Sequence, residues 1–328
     1  MRTSLLGRTG ATVSSLGLGT WQLGADWGEV TEADARAVLD AAVESGVTLF
    51  DTADAYGDGR SEQLIADYLH DRPDASVFVA TKMGRRVEQV PENYSTENFR
   101  AWTERSRRNL RVDTLDLVQL HCPPTSVYAM DRVYDDLDQL VDEGAIANYG
   151  VSVERVDEAL TAMERPNLAS VQIIINAFRL KPLETVLPLA VERGIGIIAR
   201  VPLASGLLSG KYTRETVFAE NDHRTYNRDG SAFDIGETFS GVDYEAGVTA
   251  AAEFSALAEE HGLAPSTAAL AWLTQLPGVS TVIPGARSPE QARANAAAGE
   301  VDDLSPAFHA RVVELYDRYF RAAIHERW

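Results

Sequence analysis

Short apolar runs alternate with amphipathic stretches along the whole chain. The apolar runs recur at intervals of about 30–40 residues, a rhythm typical of βαβ units that build a parallel sheet. The pattern predicts strands at Ser14–Gly19, Thr48–Asp51, Val77–Thr81, Leu115–His121, Ile146–Val151, Ser170–Ile175, Gly196–Val201 and Thr281–Ile283. The helical stretches between them are Glu32–Ser45, Ser61–His70, Thr96–Arg111, Asp131–Glu143, Val153–Arg165, Leu183–Arg193 and Pro289–Ala298.

Eight strands in alternation with helices favour a closed (β/α)8 TIM barrel over a doubly wound sheet. The dinucleotide fingerprint GxGxxG follows none of the early strands, which weighs against a Rossmann fold. We therefore predict one α/β barrel domain over residues 1–328, with an N-terminal hairpin, a long loop after strand 7 and extra C-terminal helices. The loop is Tyr212–Gly247, a polar segment without periodicity, and such segments are commonly lids or binding loops. The extra helices are expected at Ala246–His261, Ser266–Gln275 and Pro306–Ile324.

Charge and composition narrow the classes of function. The formal net charge of -19 disfavours nucleic-acid binding, because nucleic acid is itself a polyanion. A single cysteine cannot form an internal disulfide, and the start, MRTSLLGRTG, lacks the apolar core of a signal peptide. The most apolar stretch, GIGIIARVPLASGLL, is interrupted by Arg200 and Pro202 and falls short of the roughly 18 apolar residues of a membrane span. We expect a cytoplasmic enzyme that acts on small molecules.

Four polar residues stand at, or just after, the ends of consecutive predicted strands. Asp51 ends the second strand and is followed by Tyr56, while Lys82 and His121 end the third and fourth strands. In a parallel barrel, the carboxyl ends of the strands and the loops that follow them form the active face. Any one of the four, taken alone, is more simply a turn residue or a solvated strand end. Their coincidence on three neighbouring strands indicates a site.

These residue types suit proton delivery to a carbonyl group that is being reduced. A phenol has an unperturbed pKa of about 10, but a nearby ammonium lowers that pKa, so Lys82 is expected to tune Tyr56. Asp51 supplies the counter-charge that a partly buried Lys82 needs, and His121 can hydrogen-bond to the substrate carbonyl. The metal-ligand spacings HxH and HExxH do not occur, so we predict no metal. The reaction does need a hydride source.

Seven motifs resemble, in this order, those of the aldo-keto reductases: GLGTWQLG, FDTADAYG, ATKMG, LHCPP, GVSV, PLASGLLSGKY and IPGARSPEQARAN. The resemblance runs from about Leu5 to Gly299 and is closest to the branch that includes bacterial reductases and potassium-channel β subunits. It implies a (β/α)8 barrel that binds NADPH, from which hydride passes to the substrate carbonyl carbon while a tyrosine gives the proton. The catalytic tetrad implied by the resemblance is Asp51, Tyr56, Lys82 and His121.

The same resemblance implies a set of cofactor contacts. Gly19, Thr20 and Trp21 match the motif beside the nicotinamide, and Ser152 and Gln172 match residues that bind its carboxamide. The residues that match the pyrophosphate loop are Pro202, Leu203, Ser205, Gly206, Leu207, Ser209 and Lys211. Those at the adenosine end are Gly285, Arg287, Gln291 and Asn295, with Ile283 on the strand just before them. Arg287 favours NADP over NAD, because a guanidinium suits a phosphate dianion.

Four positions depart from the usual pattern of that family. Val153 and Ile175 replace an asparagine and a tyrosine, and Ala294 replaces a glutamate. Arg200 stands where an aromatic residue normally stacks on the nicotinamide. We include Arg200 among the cofactor contacts, because a planar guanidinium can lie against the ring. It could also attract an anionic or polyhydroxylated substrate.

In so acidic a chain, a purely structural role for Arg200 is about as strongly favoured as a role in binding. In this interpretation its guanidinium pairs with a carboxylate of the long loop, such as Asp222 or Asp234. The interpretation assigns Arg200 no part in binding.

The predicted substrate pocket combines aromatic side chains with two members of the tetrad: Trp21, Trp27, Tyr56, His121 and Tyr128. The predicted substrate is a small carbonyl compound or sugar, with no nucleic-acid or membrane partner. Two alternatives stay open. One is an NADP-binding, redox-sensing regulatory subunit with little turnover, and the other is a sugar isomerase or glycosidase. A glycosidase would need a carboxylate pair at two strand ends, where only Asp51 is obvious. The sequence leaves the physiological substrate, the reaction direction and the oligomeric state open.

Overall fold

A computed structural model of the chain, which describes residues 1–24 and 30–328, has a barrel of parallel strands surrounded by helices. The strands are β1 (Thr3–Leu5), β2 (Thr12–Ser14), β3 (Leu18–Gly19), β4 (Leu49–Asp51), β5 (Phe78–Met83), β6 (Leu117–His121), β7 (Tyr149–Ser152), β8 (Ser170–Ile174), β9 (Gly196–Arg200) and β10 (Thr281–Val282). The helices are α1 (Glu32–Glu44), α2 (Arg60–Asp71), α3 (Thr96–Leu110), α4 (Asp131–Asp142), α5 (Val156–Ala162), α6 (Pro182–Arg193), α7 (His223–Tyr226), α8 (Tyr244–Glu260), α9 (Pro265–Thr274), α10 (Pro289–Ala297), α11 (Pro306–Tyr316) and α12 (Ala322–Ile324).

Strands β3 to β10 form one eight-stranded parallel sheet in sequence order. The sheet closes on itself through parallel bridges from Leu16 to Val282 and from Gly19 to Gly285. The amide of Gly17 donates to the carbonyl oxygen of Val282 at 2.8 Å across the same seam. The predicted (β/α)8 barrel is therefore confirmed, and all the carboxyl ends of its strands meet at one rim.

The hairpin β1–β2 closes the opposite end of the barrel. Leu6 and Val13 are fully buried there and pack against barrel-lining residues such as Leu117 and Ile198. Gly7 has a φ of +50°, and a Cβ built on it would lie 2.0 Å from the amide nitrogen of Gly196. The turn of the hairpin thus needs a glycine, both for its left-handed backbone and for its contact with the start of β9.

Two predicted element boundaries are wrong for identifiable reasons. The predicted strand Ser14–Gly19 is split, because Ser14 pairs with Thr3 in the hairpin while Gly19 pairs with Asp51 in the barrel. The predicted helix Val153–Arg165 begins only at Val156, because the amide of Val153 still donates to a carbonyl of the neighbouring strand β8.

The segment Tyr212–Gly247 is more ordered than its sequence suggests. It contains α7 and two single helical turns, Ile235–Glu237 and Phe239–Gly241. Asn176, after β8, donates its side-chain amide to Ser240 Oγ at 2.6 Å. Ser205, after β9, accepts from the amide of Phe239 and donates to the carbonyl of Glu237, each at 3.0 Å. These contacts hold the segment over the carboxyl rim of the barrel. Across the described ranges, no helix is both long and apolar enough to cross a bilayer.

Replacing Leu6 by alanine should lower the free energy of unfolding by about 2–5 kcal/mol, because a buried leucine would leave a cavity. Leu5→Ala is the matched control, since Leu5 is 58% exposed on the same hairpin and its loss should cost under about 0.5 kcal/mol. Denaturant-induced unfolding of both variants measures the difference. Equal losses would show that the hairpin does not seal the barrel as described.

Candidate active site

The carboxyl ends of β4, β5 and β6 bring the four strand-end residues together. Lys82 Nζ lies 2.5 Å from Asp51 Oδ1 and donates to the Tyr56 hydroxyl at 3.2 Å and to the Thr52 carbonyl at 2.8 Å. The rings of Tyr56 and His121 meet edge to face, with their centroids 5.8 Å apart. Tyr56, Lys82 and His121 therefore share one small region above the barrel.

Asp51 is the hub of the hydrogen bonds beneath this region. Its second oxygen, Oδ2, accepts from Gln172 Nε2 at 2.7 Å and from Gln119 Nε2 at 3.3 Å. Gln172 Nε2 also donates to Gln119 Oε1 at 3.2 Å. Both carboxylate oxygens are thus satisfied, as a buried charge requires.

Tyr56 is held by a tight turn directly after β4. The next residue, Gly57, has a φ of +57°, and a Cβ there would lie 2.1 Å from the carbonyl oxygen of Gly24. Arg60, at the start of α2, fastens the turn by donating to the carbonyls of Leu23 and Val30 at 2.6 Å each. The glycine in the motif FDTADAYG is therefore a requirement of the backbone that carries the tyrosine.

Burial dominates the protonation of Tyr56 and His121. Burial raises the pKa of Tyr56 above its usual value near 10, and the opposing effect of Lys82 offsets only part of that rise. Lys82 thus lowers the Tyr56 pKa as expected, but the effect of burial is larger. Burial, with help from Arg85 and Lys82, holds the pKa of His121 well below its usual value. Near neutral pH the phenol keeps its proton and the imidazole is neutral.

These groups open onto a cleft of about 450 Å³ at the rim of the barrel. Nearly all the sequence-predicted residues line it: Gly19, Thr20, Trp21, Asp51, Tyr56, His121, Ser152, Gln172, Arg200, Pro202, Leu203, Ser205, Gly206, Ser209, Lys211, Ile283, Gly285, Arg287, Gln291 and Asn295. Lys82 lies directly beneath them, bonded to Tyr56. Leu207 is buried in the core behind the cleft wall.

The far half of the cleft has features that fit a dinucleotide phosphate. Ser205 and Gly206 both have left-handed backbones, with φ values of +54° and +97°. The Gly206 amide donates to the Leu203 carbonyl at 2.8 Å, so the two residues form a tight turn whose small side chains leave room for a phosphate beside it. Arg287 lies at the other end, where its amide donates to Gln291 Oε1 at 2.8 Å. Lys211 and Arg287 place cations where phosphate groups would need them.

The half of the cleft that is predicted to hold the nicotinamide differs from the sequence expectation at Gln172 and Arg200. The side-chain N–H group of Gln172 already donates a hydrogen bond to Asp51. The side-chain oxygen of Gln172 is therefore the atom that could accept from a carboxamide N–H. Arg200 Nη2 donates to the Val153 carbonyl at 3.1 Å and lies 2.9 Å from Glu154 Oε2. The side chain of Arg200 is therefore tied to the barrel wall.

Arg200 belongs to a four-residue charge cluster, Arg85–Glu154–Arg200–Glu237. Glu237 Oε1 lies 3.0 Å from Arg85 Nη1 and 3.7 Å from Arg200 Nη1. The suggested pairing of Arg200 with Asp222 or Asp234 is wrong in its partners. Asp222 instead pairs with Arg224, and Asp234 caps a turn by accepting from the amide of Gly236. The long loop does supply a carboxylate, but it comes from Glu237.

The pKa values of the two carboxyl groups in the cluster are shifted in opposite directions. Burial raises the pKa of Glu154 to about 8, because Arg200 offsets only part of the desolvation. Burial acts on Glu237 in the same direction, but Arg85 and Arg200 outweigh it and hold that pKa well below its usual value. Glu237 is thus the charged member near neutral pH.

The cluster also brings possible metal ligands together. Atoms of Cys122, Glu154 and Glu237 lie within 4.8 Å of one another. The guanidiniums of Arg85 and Arg200 already neutralise these carboxylates, so a metal cation would have to displace them. Burial also raises the pKa of the Cys122 thiol to about 12, so the thiolate that a metal prefers is disfavoured.

Aromatic side chains form the wall beside Tyr56. The Trp21 ring stacks on Tyr56 at 6.1 Å, and it meets Phe233 at 6.2 Å and His223 at 5.7 Å. Burial lowers the pKa of His223 to about 4, so this histidine is neutral near pH 7. Trp21 is thus placed as the sequence suggested, with two partners from the long loop.

Two other residues that the sequence predicts for the pocket are Tyr128 and Trp27. Tyr128 is fully buried behind the wall, where its hydroxyl donates to the Ser152 carbonyl at 2.8 Å. It supports Ser152, a cleft residue, from the core. Trp27 lies outside the residues that the structure describes.

Several cleft residues were missed by sequence reasoning: Gln22, Arg85, Cys122, Val201, Tyr212, His223, Arg224, Glu237, Ser266, Pro284 and Ala294. Arg85 follows Lys82 by three positions, so its place in a loop after a barrel strand was a usable signal. Nothing in the polar segment Tyr212–Gly247 distinguished Glu237 from its acidic neighbours.

Comparison with known proteins agrees with this arrangement. Residues 15–317 match the model of the Aldo/keto reductase family. An uncharacterized oxidoreductase of Mycobacterium tuberculosis is 34% identical over 297 residues, covering 88% of this chain and 85% of that protein. Among solved structures, the glycerol dehydrogenase from Gluconobacter oxydans is 28% identical with a TM-score of 0.76, covering 94% of this chain and 93% of that one. An aldo-keto reductase from Klebsiella pneumoniae in complex with NADPH is 25% identical with a TM-score of 0.71, covering 96% and 95%.

Glu154→Gln should flatten the pH dependence of stability. Because the pKa of Glu154 rises from 4.5 to about 8 on folding, its contribution is full below pH 4.5 and is lost as pH rises through 8. Between pH 5 and 8 the variant should lose up to about 1.4 kcal/mol per pH unit of the wild-type slope.

Denaturant unfolding at several pH values measures the slope. Glu164→Gln, at an exposed glutamate just after α5, is the control and should keep the wild-type slope. An unchanged slope in Glu154→Gln would show that Glu154 is ionised in the folded protein.

Proposed function

Because the chain belongs to the Aldo/keto reductase family of oxidoreductases, we propose that it uses NADPH to reduce the carbonyl group of aldehydes, ketones or open-chain sugars. One observation carries the proposal. The hydroxyl of Tyr56 lies 3.2 Å from Lys82 Nζ and beside the His121 ring, at the floor of a cleft that could hold a substrate carbonyl. A buried phenol hydrogen-bonded to an ammonium is suited to giving a proton to an oxygen that gains negative charge.

The rim of the cleft supports NADPH as the cofactor. The small residues of the tight turn at Ser205 and Gly206 leave room for a pyrophosphate, and the cations of Lys211 and Arg287 suit its charge and that of a further phosphate. Ser152 and the free oxygen of Gln172 suit a carboxamide. NADPH would supply the hydride when bound.

The remaining steps follow from the residues of this chain. Tyr56 keeps its proton near neutral pH and can donate it to the carbonyl oxygen as that oxygen becomes an alkoxide. The ammonium of Lys82 is held in place by Asp51 and stabilises the phenolate that is left. His121, which is neutral, can orient the carbonyl by a hydrogen bond. Trp21 lines the side of the cleft next to Tyr56 and is backed by Phe233, which gives a substrate an apolar surface there.

Tyr56→Phe should lower kcat/KM for carbonyl reduction by about 100-fold or more, because the proton donor is removed. The measurement follows NADPH oxidation with a panel of aldehydes and sugars. Tyr94→Phe is the control, since Tyr94 is a buried tyrosine outside the cleft lining, with its hydroxyl bonded to Gln89. Full activity in Tyr56→Phe would refute the role of Tyr56. Tight NADPH binding by the wild type without turnover of any substrate would indicate the regulatory alternative.

Arg287→Gln should weaken NADPH binding at least about tenfold while changing NADH affinity little, because the lost charge-assisted contact is to the 2′-phosphate. Fluorescence titration with each cofactor measures the two Kd values. Arg293→Gln, on helix α10, which begins two residues after Arg287, is paired with Glu44 at the surface and should change neither. Equal weakening for both cofactors would place Arg287 elsewhere than at the 2′-phosphate.

A further inference from the structure

Two guanidiniums and one carboxylate line the cleft close to the proposed reaction centre. Arg85 follows β5, Arg200 ends β9, and Glu237 comes from the long loop, so three separate elements converge there. Both arginines line the same cleft as His121, and Arg200 Nη2 lies 3.7 Å from Sγ of Cys122, the residue after His121, so their charges lie near the carbonyl-binding end. This wall therefore faces the part of a substrate that extends beyond the reacting carbonyl.

Two arginines lining one pocket would ordinarily attract an anionic substrate group. In this cleft, however, both guanidiniums already face a carboxylate of the protein. The Glu237 carboxylate lies between the two guanidiniums, 3.0 Å from Arg85 and 3.7 Å from Arg200. The Glu237 side chain is only 10% exposed, and its backbone carbonyl accepts a hydrogen bond from Ser205 Oγ, so both the side chain and the turn that carries it are packed against the barrel rim.

We propose that Glu237 is a specificity-determining residue that acts as a built-in counter-ion, so that the cleft rejects carbonyl substrates bearing a carboxylate and prefers neutral, polyhydroxylated ones. The inference rests on the proposed reductase function. An anionic substrate would have to compete with a fixed carboxylate for the same two guanidiniums and would be repelled by it.

Neutral hydroxyl groups meet no such conflict. A hydroxyl can accept a hydrogen bond from Arg85 and donate one to Glu237, so it satisfies both sides of the wall. A purely apolar chain would take water away from this charged wall without offering it a hydrogen bond, and sites built for hydroxyls disfavour such analogues. The Trp21 face on the neighbouring wall can pack against the C–H edges of a sugar chain.

The test compares substrates that differ only in a carboxylate against a hydroxymethyl group. Two pairs of different length cover the distance to the wall: glycolaldehyde with glyoxylate, and D-glucose with D-glucuronate. The wild type should show a kcat/KM at least tenfold higher for the neutral member. Glu237→Gln should raise the anionic-to-neutral ratio at least tenfold for one pair, because it leaves the Arg85 guanidinium without its carboxylate partner, while Arg200 keeps Glu154.

Arg85→Gln tests the same idea from the opposite side and does not depend on the folding of Glu237→Gln. It leaves Glu237 charged with one partner fewer, so the anionic-to-neutral ratio should fall further below that of the wild type. Arg293→Gln, at the surface of α10, should leave the ratio unchanged.

Three results would overturn the inference. They are a wild-type preference for glyoxylate or glucuronate, an equal loss for both members of a pair in Glu237→Gln, and an unchanged ratio in Arg85→Gln. An equal loss would mean that Glu237 only holds the loop in place. None of these results touches the reductase function, which fails instead if the wild type oxidises NADPH with no carbonyl compound at all.

Discussion

The ion pair between Lys82 and Asp51 is the interaction on which the rest of the site depends. The two side chains are 1% and 3% exposed and lie 2.5 Å apart, so each charge relies on the other rather than on water. Removing one partner from such a pair costs about 3–5 kcal/mol, because the remaining charge is left buried without compensation. Gln119 and Gln172 satisfy the second oxygen of Asp51, and the Lys82 ammonium extends the network to Tyr56. The tyrosine hydroxyl is thus held at the one edge of this network that faces the cleft.

A second constraint is the distribution of charge. The chain as a whole carries -19, yet the charged residues that line the cleft comprise five basic ones and two acidic ones: Arg85, Arg200, Lys211, Arg224 and Arg287 with Asp51 and Glu237. Such an inversion focuses positive potential where an anionic cofactor would bind. Near the catalytic end the excess is moderated by Glu237, which comes from the loop that covers the site. In the proposed function, cofactor attraction and substrate selection would therefore fall to opposite ends of one cleft.

Much of the fold and the centre of the site were predictable from the residues alone. Strands of a parallel barrel all run the same way, so polar residues at their carboxyl ends must converge, and Asp51, Lys82 and His121 do so. The start of α1 was equally readable, because the Thr31 hydroxyl and Asp34 form a capping box. In these cases the information is local, since a strand end or a helix cap is set by a few adjacent residues.

The partners of side chains were decided only by the tertiary structure. Arg200 was identifiable as unusual, but its pairing with Glu154 and Glu237 depends on where α5 begins and how the long loop returns to the barrel. Tyr128 was placed in the pocket because it follows a strand end, yet packing turns it into the core. The pKa of Tyr56 likewise depends on how deeply the side chain is buried, which the residues adjacent to it in sequence do not indicate. The sequence alone therefore sufficed for the barrel and the identity of its strand-end residues. The environment of each side chain was not readable from it, because burial and long-range charge come from elements that are far apart along the chain.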